Sequence, residues 1–287
     1  MAELDALISR AEQVLARLEN LLPPAQPEPD WNALAWRWRK KNGQGFLQAV
    51  THPHQLQLQD FLGIEAQKKT VVQNTRQFVR GLPANNVLLT GARGTGKSSL
   101  VKALLSEFSA QGLRLVEVDK QDLTDLHDIT ELLRERPEKF IVFCDDLSFD
   151  ANEPGYKALK VALDGSVSGV SDNMLIYATS NRRNLMPEFM KDNLDTDDIR
   201  PGETVDEKVA LSERFGVWLS FYAFDQDEYL AIVAGWLKHF GINRMTPKIR
   251  NAALQWSRMR GARSGRVAWQ FARDWAGKSD LTADERR

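Results

Sequence analysis

The sequence of 287 residues has a single cysteine, Cys144, and no apolar run long enough to cross a membrane. A lone cysteine excludes a fold held by internal disulfides, and its position in the apolar run 140–144 predicts a buried structural thiol. The longest apolar stretches, such as residues 216–224, fall short of the roughly 18 residues that a spanning helix needs. The start of the sequence also lacks the basic segment of a secretory signal. These absences predict a cytoplasmic protein in a reducing compartment, with no membrane partner.

Net charge is also nearly absent. Lys and Arg number 38 against 39 Asp and Glu, and the resulting formal charge of −1 excludes a protein that binds polyanions over its whole surface. With 27% charged and 43% hydrophobic residues, the composition is that of an ordinary globular protein and not of a disordered chain. The length predicts about two domains, one of them large enough to bury a substantial core.

Two segments precede the main domain. The apolar spacing of residues 1–24 predicts an N-terminal amphipathic helix, which either associates with another copy or docks on its own chain. Residues 25–57 are interpreted as a proline-rich linker followed by a basic and aromatic helix, because Trp31, Leu34 and Trp38 recur at helical spacing among basic residues. Packed tryptophans with a solvated basic back are the favoured interpretation of that helix. Stacking on single-stranded nucleic acid is the alternative.

An alternation of strand-length apolar runs and amphipathic stretches begins at residue 58. Strands are predicted at 86–90, 113–118, 139–144, 174–179 and 217–221, with helices at 97–111, 123–135 and 155–163. This alternation predicts an α/β fold, with a parallel five-stranded sheet flanked by helices over residues 58–222. A small α-helical domain follows at 223–278, and residues 279–287 form a tail.

A phosphate-binding pattern, G-x-x-x-x-G-K-[ST], occupies residues 91–98 between a predicted strand and a predicted helix. Its glycines let successive backbone N–H groups face one cavity at the positive end of the helix, which suits a polyphosphate such as that of ATP. Lys97 would bring a positive charge to the β and γ phosphates, and the Ser98 hydroxyl would complete the shell of a Mg²⁺ ion. The candidate nucleotide-binding residues here are Gly91, Ala92, Arg93, Gly94, Thr95, Gly96, Lys97, Ser98 and Ser99.

Two carboxylates, Asp145 and Asp146, end the buried run 139–144. Beside a phosphate loop, or Walker A element, this is the form of a Walker B element. Asp145 would hold Mg²⁺ through water, and Asp146 would address the attacking water. The alternative is that the two acids only cap the following turn.

Together these residues resemble the AAA+ superfamily of P-loop ATPases. In detail they resemble the bacterial ATP-binding proteins of domain-of-unknown-function family 815. The likeness extends from residue 36 to 274, and its most specific segments are 82–89, 143–149, 178–183 and 211–216.

The resemblance implies further site residues. Leu62, Gly63 and Ile64 fall where AAA+ proteins contact adenine, and Asn181 matches the polar sensor 1 that orients water. Arg214 matches the arginine finger that acts on a neighbouring subunit, with a salt bridge to Glu213 or Asp206 as the alternative. On the helical lid, residues 223–278, Arg263 matches sensor 2 and Arg266 is the second choice. AAA+ enzymes mostly carry Glu where this sequence has Asp146, so slow turnover is expected.

The resemblance therefore implies a Mg²⁺-dependent ATPase that forms a homo-oligomeric ring or partial ring and acts on a protein or complex. A nucleic-acid-associated loader or binding module, and an ATP-bound regulatory switch with little turnover, are the alternatives. Residues 244–273 contain eight Arg and Lys and no Asp or Glu. This charge is expected to meet the acidic stretch 192–207 of a neighbouring subunit, or else a nucleic-acid backbone.

Overall fold

A computed structural model of the protein describes residues 28–53, 56–149, 153–164, 172–182, 185 and 211–284, with side chains described as far as Lys278. Four positions of the predicted N-terminal helix are also described, and all four, Leu7, Ile8, Arg10 and Glu12, are helical. The remainder of that helix and the acidic stretch 192–207 lie outside the described residues.

The described residues form one sheet of seven strands. The strands are β1 (Ala35–Lys41), β2 (Gln44–Ala49), β3 (Val87–Gly91), β4 (Leu113–Glu117), β5 (Lys139–Cys144), β6 (Met174–Ser180) and β7 (Val217–Phe221). Their order across the sheet is β2-β1-β4-β5-β6-β3-β7, and every neighbouring pair except β1 with β2 is parallel. The predicted α/β class is confirmed, and all five predicted strands are present. Two further strands extend the sheet beyond β4.

These two extra strands replace the predicted basic and aromatic helix, and the prediction of a helix over residues 31–41 is therefore wrong. Residues 35–41 form β1 and turn back into β2 through Asn42 and Gly43, whose φ angles are 53° and 78°. Two consecutive positive φ angles are typical of the tight hairpin turn that Asn-Gly favours. Trp36 and Trp38 are both buried, so the apolar period that matters here is two and not 3.6.

Three of the four basic residues of β1 are paired within the chain. Arg37 forms an ion pair with Glu117 at 2.9 Å, and Arg39 forms one with Asp119 at 2.6 Å. Lys40 lies 2.9 Å from Asp125. Their charges are thus neutralised locally, and β1 does not present an open basic surface.

Among the described residues, seven α-helices either connect the strands or follow the last of them. They are α1 (Glu65–Val79), α2 (Lys97–Phe108), α3 (Leu126–Arg134), α4 (Pro154–Asp164), α5 (Gln226–His239), α6 (Pro247–Met259) and α7 (Gly265–Asp284). The predicted helices at 97–111 and 123–135 each include a short 3₁₀ segment, Ser109–Gln111 and Lys120–Asp125 respectively. The last helix runs to Asp284, so most of the predicted tail 279–287 is helical. None of these helices is long and apolar enough to cross a membrane.

The core has one layer on each face of the sheet. Val87 and Leu89 of β3 face a cluster that contains α1, α2 and residues of α5 to α7, such as Phe271. Leu88 and the alternate residues of β5 and β6 face a second cluster that contains α3 and α4. The C-terminal helices α5 to α7 therefore pack on only one face of the sheet. Cys144 is fully buried in the second layer, and burial raises the pKa of its thiol to about 12, which confirms a structural thiol.

Candidate active site

The loop 91–96 connects the end of β3 to the start of α2, as the sequence pattern predicts. Gly91, Gly94 and Gly96 have φ angles of 119°, 76° and 100°, a region that glycine adopts without strain. At Gly91 a Cβ atom would lie 2.0 Å from the carbonyl oxygen of Phe221 in the neighbouring strand β7. The loop can therefore follow this path only with glycine at these positions.

Lys97 lies inside the loop and is only 5% exposed. Its ammonium donates to the carbonyl oxygens of Gly91 and Ala92, both at 2.8 Å, and to Asn181 Oδ1 at 3.2 Å. Burial lowers the pKa of Lys97, and the nearby Arg266 and Arg93 guanidinium groups lower it further against the opposing effect of two carboxylates. A bound anion would stabilise the charged form of Lys97, because it would offset the free-energy cost of burying the ammonium group.

The carboxylate of Asp145 accepts two hydroxyl hydrogen bonds. Ser98 Oγ donates to Asp145 Oδ1 at 2.5 Å, and Thr179 Oγ1 donates to the same oxygen at 2.6 Å. Among the described residues no cluster of three or more His, Cys, Asp or Glu side chains could enclose a metal ion. Mg²⁺ is commonly held by one carboxylate, a hydroxyl, waters and substrate phosphates. The pair of Ser98 and Asp145 fits Mg²⁺ bound in that way.

Asp146 is exposed and has a φ of 53°, which is uncommon outside glycine and several-fold enriched in Asp and Asn. Its backbone N–H donates to Thr179 Oγ1 at 2.9 Å, and its carboxylate accepts a hydrogen bond from Asn181 Nδ2. Thr179 thus fixes both acids of the Walker B element. No separate signal in the sequence points to Thr179, because its role depends on the pairing of β5 with β6.

The lid contacts the phosphate loop directly. Arg266 N donates to Gly94 O at 3.3 Å, and a Cβ atom at Gly94 would lie 2.8 Å from Ser264 Oγ. Arg266 is also close enough to Lys97 to affect its pKa. Arg263 is exposed and forms no side-chain hydrogen bond or ion pair with the part of the chain that the structure describes. The structure therefore brings Arg266, the second choice for sensor 2, against the phosphate loop, and the assignment of sensor 2 to Arg263 or Arg266 stays a prediction.

Apolar residues line one side of the loop. Ile64 is buried near Gly96, with Phe61 beside it. Gly63 packs against Phe224, so closely that a Cβ atom at Gly63 would lie 2.9 Å from the ring. The segment of Leu62, Gly63 and Ile64 thus lies in an apolar surrounding next to the phosphate loop, where a planar base could pack.

Arg214 lies at the amino end of the parallel strands, opposite to the phosphate loop. It precedes β7, which runs parallel to β3, whereas the phosphate loop follows the last residue of β3. Its guanidinium Nε forms an ion pair with Asp164 Oδ1 at 2.5 Å. The salt-bridge alternative predicts Glu213 or Asp206 as the partner; Asp206 lies outside the described residues, and the ion pair that the structure shows is with Asp164. The strand thus separates Arg214 from the loop of its own chain.

Residues 31–279 match the family described as "Protein of unknown function (DUF815)". The chain belongs to this family. The match spans the β1–β2 hairpin, the sheet, the lid and every candidate site residue, so the resemblance inferred from the sequence is confirmed. A search of curated proteins found no match to this DUF815 chain.

Solved structures show the same fold. Two variants of RuvB from Thermotoga maritima superpose with TM-scores of 0.50 and 0.51 at 19% and 17% identity, over 76% of the DUF815 chain. Orc1 from Aeropyrum pernix, in complex with DNA, superposes with a TM-score of 0.52 at 14% identity over 79% of the chain. The DUF815 chain covers 63%, 64% and 61% of those chains, less than two thirds of each. At such identities the likeness concerns the fold, and that fold is the AAA+ P-loop fold.

Proposed function

We propose that this DUF815 protein binds Mg²⁺ and ATP at the loop 91–98 and hydrolyses ATP. One observation carries the proposal. At the carboxyl edge of the sheet, Asn181 joins Lys97 of the phosphate loop to Asp146, while Ser98 of the same loop is bonded to Asp145. This arrangement supports the proposal because it groups a lysine, a carboxylate bonded to a hydroxyl and a second carboxylate, which would bind phosphate, hold Mg²⁺ and accept a proton.

The binding step uses the loop and its surroundings. Backbone N–H groups of the glycine-rich loop and the N-terminus of α2 would receive the phosphates, with Lys97 as the central charge. Arg266 would add a second positive charge from the lid, and the apolar surrounding of Gly63 would receive the adenine. Ser98 and Asp145 would hold Mg²⁺, which would neutralise part of the phosphate charge.

The hydrolytic step depends on Asp146 and Asn181. Asn181 orients the Asp146 carboxylate, which would accept a proton from the attacking water. An Asp side chain is one methylene shorter than Glu and reaches less far, so we propose a slow turnover. If turnover is negligible, the same site acts as an ATP-dependent switch.

The site requires a second subunit to be complete. Arg214 lies at the amino end of the strands, remote from its own phosphate loop. It would therefore act on the nucleotide of a neighbouring copy in a ring or partial ring. Movement of the lid, which contacts Gly94, would transmit hydrolysis to a macromolecular partner. That partner is a protein, a protein complex or a nucleic acid. Orc1 in complex with DNA is one instance of this fold with a nucleic acid.

The Lys97→Ala variant tests the binding site. It should abolish binding of a fluorescent ATP analogue and release of phosphate, while circular dichroism shows a folded protein. The matched control is Lys69→Ala, which removes an exposed lysine of α1 and should leave binding unchanged. Unchanged affinity in Lys97→Ala would exclude the loop as the ATP site. Normal binding without phosphate release in the wild type would favour the switch.

A further inference from the structure

Positive and negative charge are concentrated in different parts of this chain. The lid, residues 223–278, has ten Lys and Arg and four Asp and Glu, a net charge of +6. Since the whole chain carries −1, the remainder carries −7. Residues 192–207 alone have seven Asp and Glu and one Arg, a net charge of −6. Two regions of equal and opposite charge therefore exist in every copy.

Five arginines of the lid are exposed, and their charge is not neutralised within the described residues. We define the lid basic surface as Arg258, Arg260, Arg263, Arg266 and Arg273, all of which are exposed. Within the described residues none of the five forms an ion pair with a carboxylate. These arginines lie at the end of α6, in the connecting loop and on the first three turns of α7, so their charge is concentrated within residues 258–273. Like charges this close in the chain repel one another unless an anion lies against them.

Two of these arginines are held in place by tryptophans. The Arg260 guanidinium lies 5.1 Å from the Trp256 ring centroid, and that of Arg273 lies 5.2 Å from the Trp269 ring centroid. Trp269 is itself 36% exposed. Stacking uses the face of a guanidinium and leaves its N–H donors to bind carboxylates in pairs. The lid basic surface is thus preorganised for a carboxylate-rich partner.

Charge elsewhere in the chain offers little continuation of the lid basic surface. Outside the lid and residues 192–207 the chain carries a net charge of only −1. Three of the four basic residues of β1, which could have continued a nucleic-acid surface, are already paired with Glu117, Asp119 and Asp125. A short acidic segment therefore suits the lid basic surface better than a long polyanion, which needs a longer basic track.

The path of the chain favours a second copy as the source of that segment. Leu185 and Leu211, the described residues on either side of the acidic segment, are buried in the layer that contains α3 and α4. The lid packs on the opposite face of the sheet. The two ends of the segment are therefore fixed on the face of the sheet that is remote from its own lid. The segment of an adjacent copy has no such constraint.

We propose that the lid basic surface binds the acidic segment 192–207 of a second copy of this chain. The inference rests on the proposed oligomer and names the contact that would hold adjacent lids in it. The backbone N–H of Arg266 also donates to Gly94 of the phosphate loop, so a partner bound to the lid basic surface would affect the nucleotide site.

Charge reversal of the two surfaces tests the contact. The lid variant carries Arg258→Glu, Arg260→Glu and Arg273→Glu, and the segment variant carries Asp195→Lys, Asp197→Lys and Asp198→Lys. The control reverses three exposed cations outside the lid, with Lys69→Glu, Arg80→Glu and Lys157→Glu. Association of each protein alone, and of the two reversed variants mixed, is measured by sedimentation with an ATP analogue at several salt concentrations. Affinity for the analogue is titrated in parallel.

Each reversed variant alone should associate at least about tenfold more weakly than the control, because like charges then face each other. An equimolar mixture of the two should associate again, since each reversed surface then meets its complement on another chain. Absence of rescue in the mixture would overturn the inference. So would salt-dependent retention of the wild type on a single-stranded oligonucleotide that the lid variant alone loses. Failure of the wild-type protein to bind the ATP analogue would instead refute the proposed function.

Discussion

Lys97 Nζ lies 3.2 Å from Asn181 Oδ1, and the amide nitrogen of the same Asn181 donates to Asp146. One amide group thus holds the phosphate-binding lysine at one end and the candidate base at the other. When Lys97 turns towards a phosphate it must give up some of its present acceptors. Asn181 would then be released on one side, which makes the orientation of Asp146 dependent on nucleotide.

Substitution of each of the two acids after β5 should cause a different loss of function. Asp146→Asn should keep affinity for ATP and lose phosphate release, because it removes only the candidate base. Asp145→Asn should also weaken the dependence on Mg²⁺, since Asp145 is the partner of Ser98. Nucleotide titration at several Mg²⁺ concentrations, with phosphate release, distinguishes the variants. Full turnover in Asp146→Asn would place the base elsewhere.

Glu153 is a poor substitute for that base, because its carboxylate is paired with Lys120 at 2.9 Å. Glu153→Gln is therefore the matched control for Asp146→Asn. It removes one negative charge downstream of the same strand and should retain phosphate release.

Arg214 should act in trans. Arginine fingers contribute roughly 10³ to 10⁵ in rate, so Arg214→Ala should bind ATP nearly normally and hydrolyse it far more slowly. Mixing Arg214→Ala with Lys97→Ala should restore part of the activity, because a Lys97→Ala subunit can offer its Arg214 to an intact phosphate loop. No recovery on mixing, together with turnover per subunit that does not depend on concentration, would assign Arg214 a role in its own chain.

Binding of ATP should take up protons at alkaline pH. Burial lowers the pKa of Lys97 below its usual value of 10.5, while a bound polyphosphate would favour the charged form and raise that pKa. As pH rises through the lowered pKa, the free protein loses a proton that the complex regains, so affinity should fall. Calorimetry at pH 7.5 and 9 in buffers of different ionisation enthalpy measures this uptake. No uptake at the higher pH would show that Lys97 is equally charged with and without ligand.

The β1–β2 hairpin should be sensitive to a single methyl group. A Cβ atom at Gly45 would lie 1.9 Å from the Trp38 ring, so Gly45→Ala should lower the free energy of unfolding by about 1 to 3 kcal/mol. Gly277→Ala is the control, because nothing lies within 4 Å of a Cβ atom there and alanine favours the helix. Denaturant titration measures both. Equal stability of the two variants would contradict the packing of Trp38 on Gly45.

The phosphate loop and the five central strands could be predicted because their signals are local. Gly91, Lys97 and Ser98 lie in one continuous pattern, and each buried parallel strand is a continuous apolar run. Lys97, Ser98, Asp145 and Asp146 lie together as these local signals predict, and their roles in binding and catalysis stay predictions. The apolar surrounding of Gly63 involves Phe224, more than 150 residues away, and only the folded chain brings the two together.

The hairpin was missed because two periods compete in one segment. Trp31, Leu34 and Trp38 fit a helical face, whereas Trp36 and Trp38 fit an alternating strand. The Asn42-Gly43 turn decides in favour of the strand, and it was available in the sequence. The pairing of Arg214 with Asp164 had no such signal, because it joins residues 50 positions apart in different elements.

The place of β3 in the sheet has a consequence for biosynthesis. Val87 pairs with Tyr177 on one side and with Val217 on the other, 90 and 130 residues further along the chain. At about 5 to 20 residues per second, the strand that leads into the phosphate loop waits roughly 6 to 26 seconds for its second neighbour. Throughout that interval an apolar strand has unsatisfied edges while the ribosome continues. The nascent chain is therefore exposed to aggregation before any ligand of the loop 91–98 could stabilise it, because the surroundings of that loop are among the last parts of the molecule to be completed.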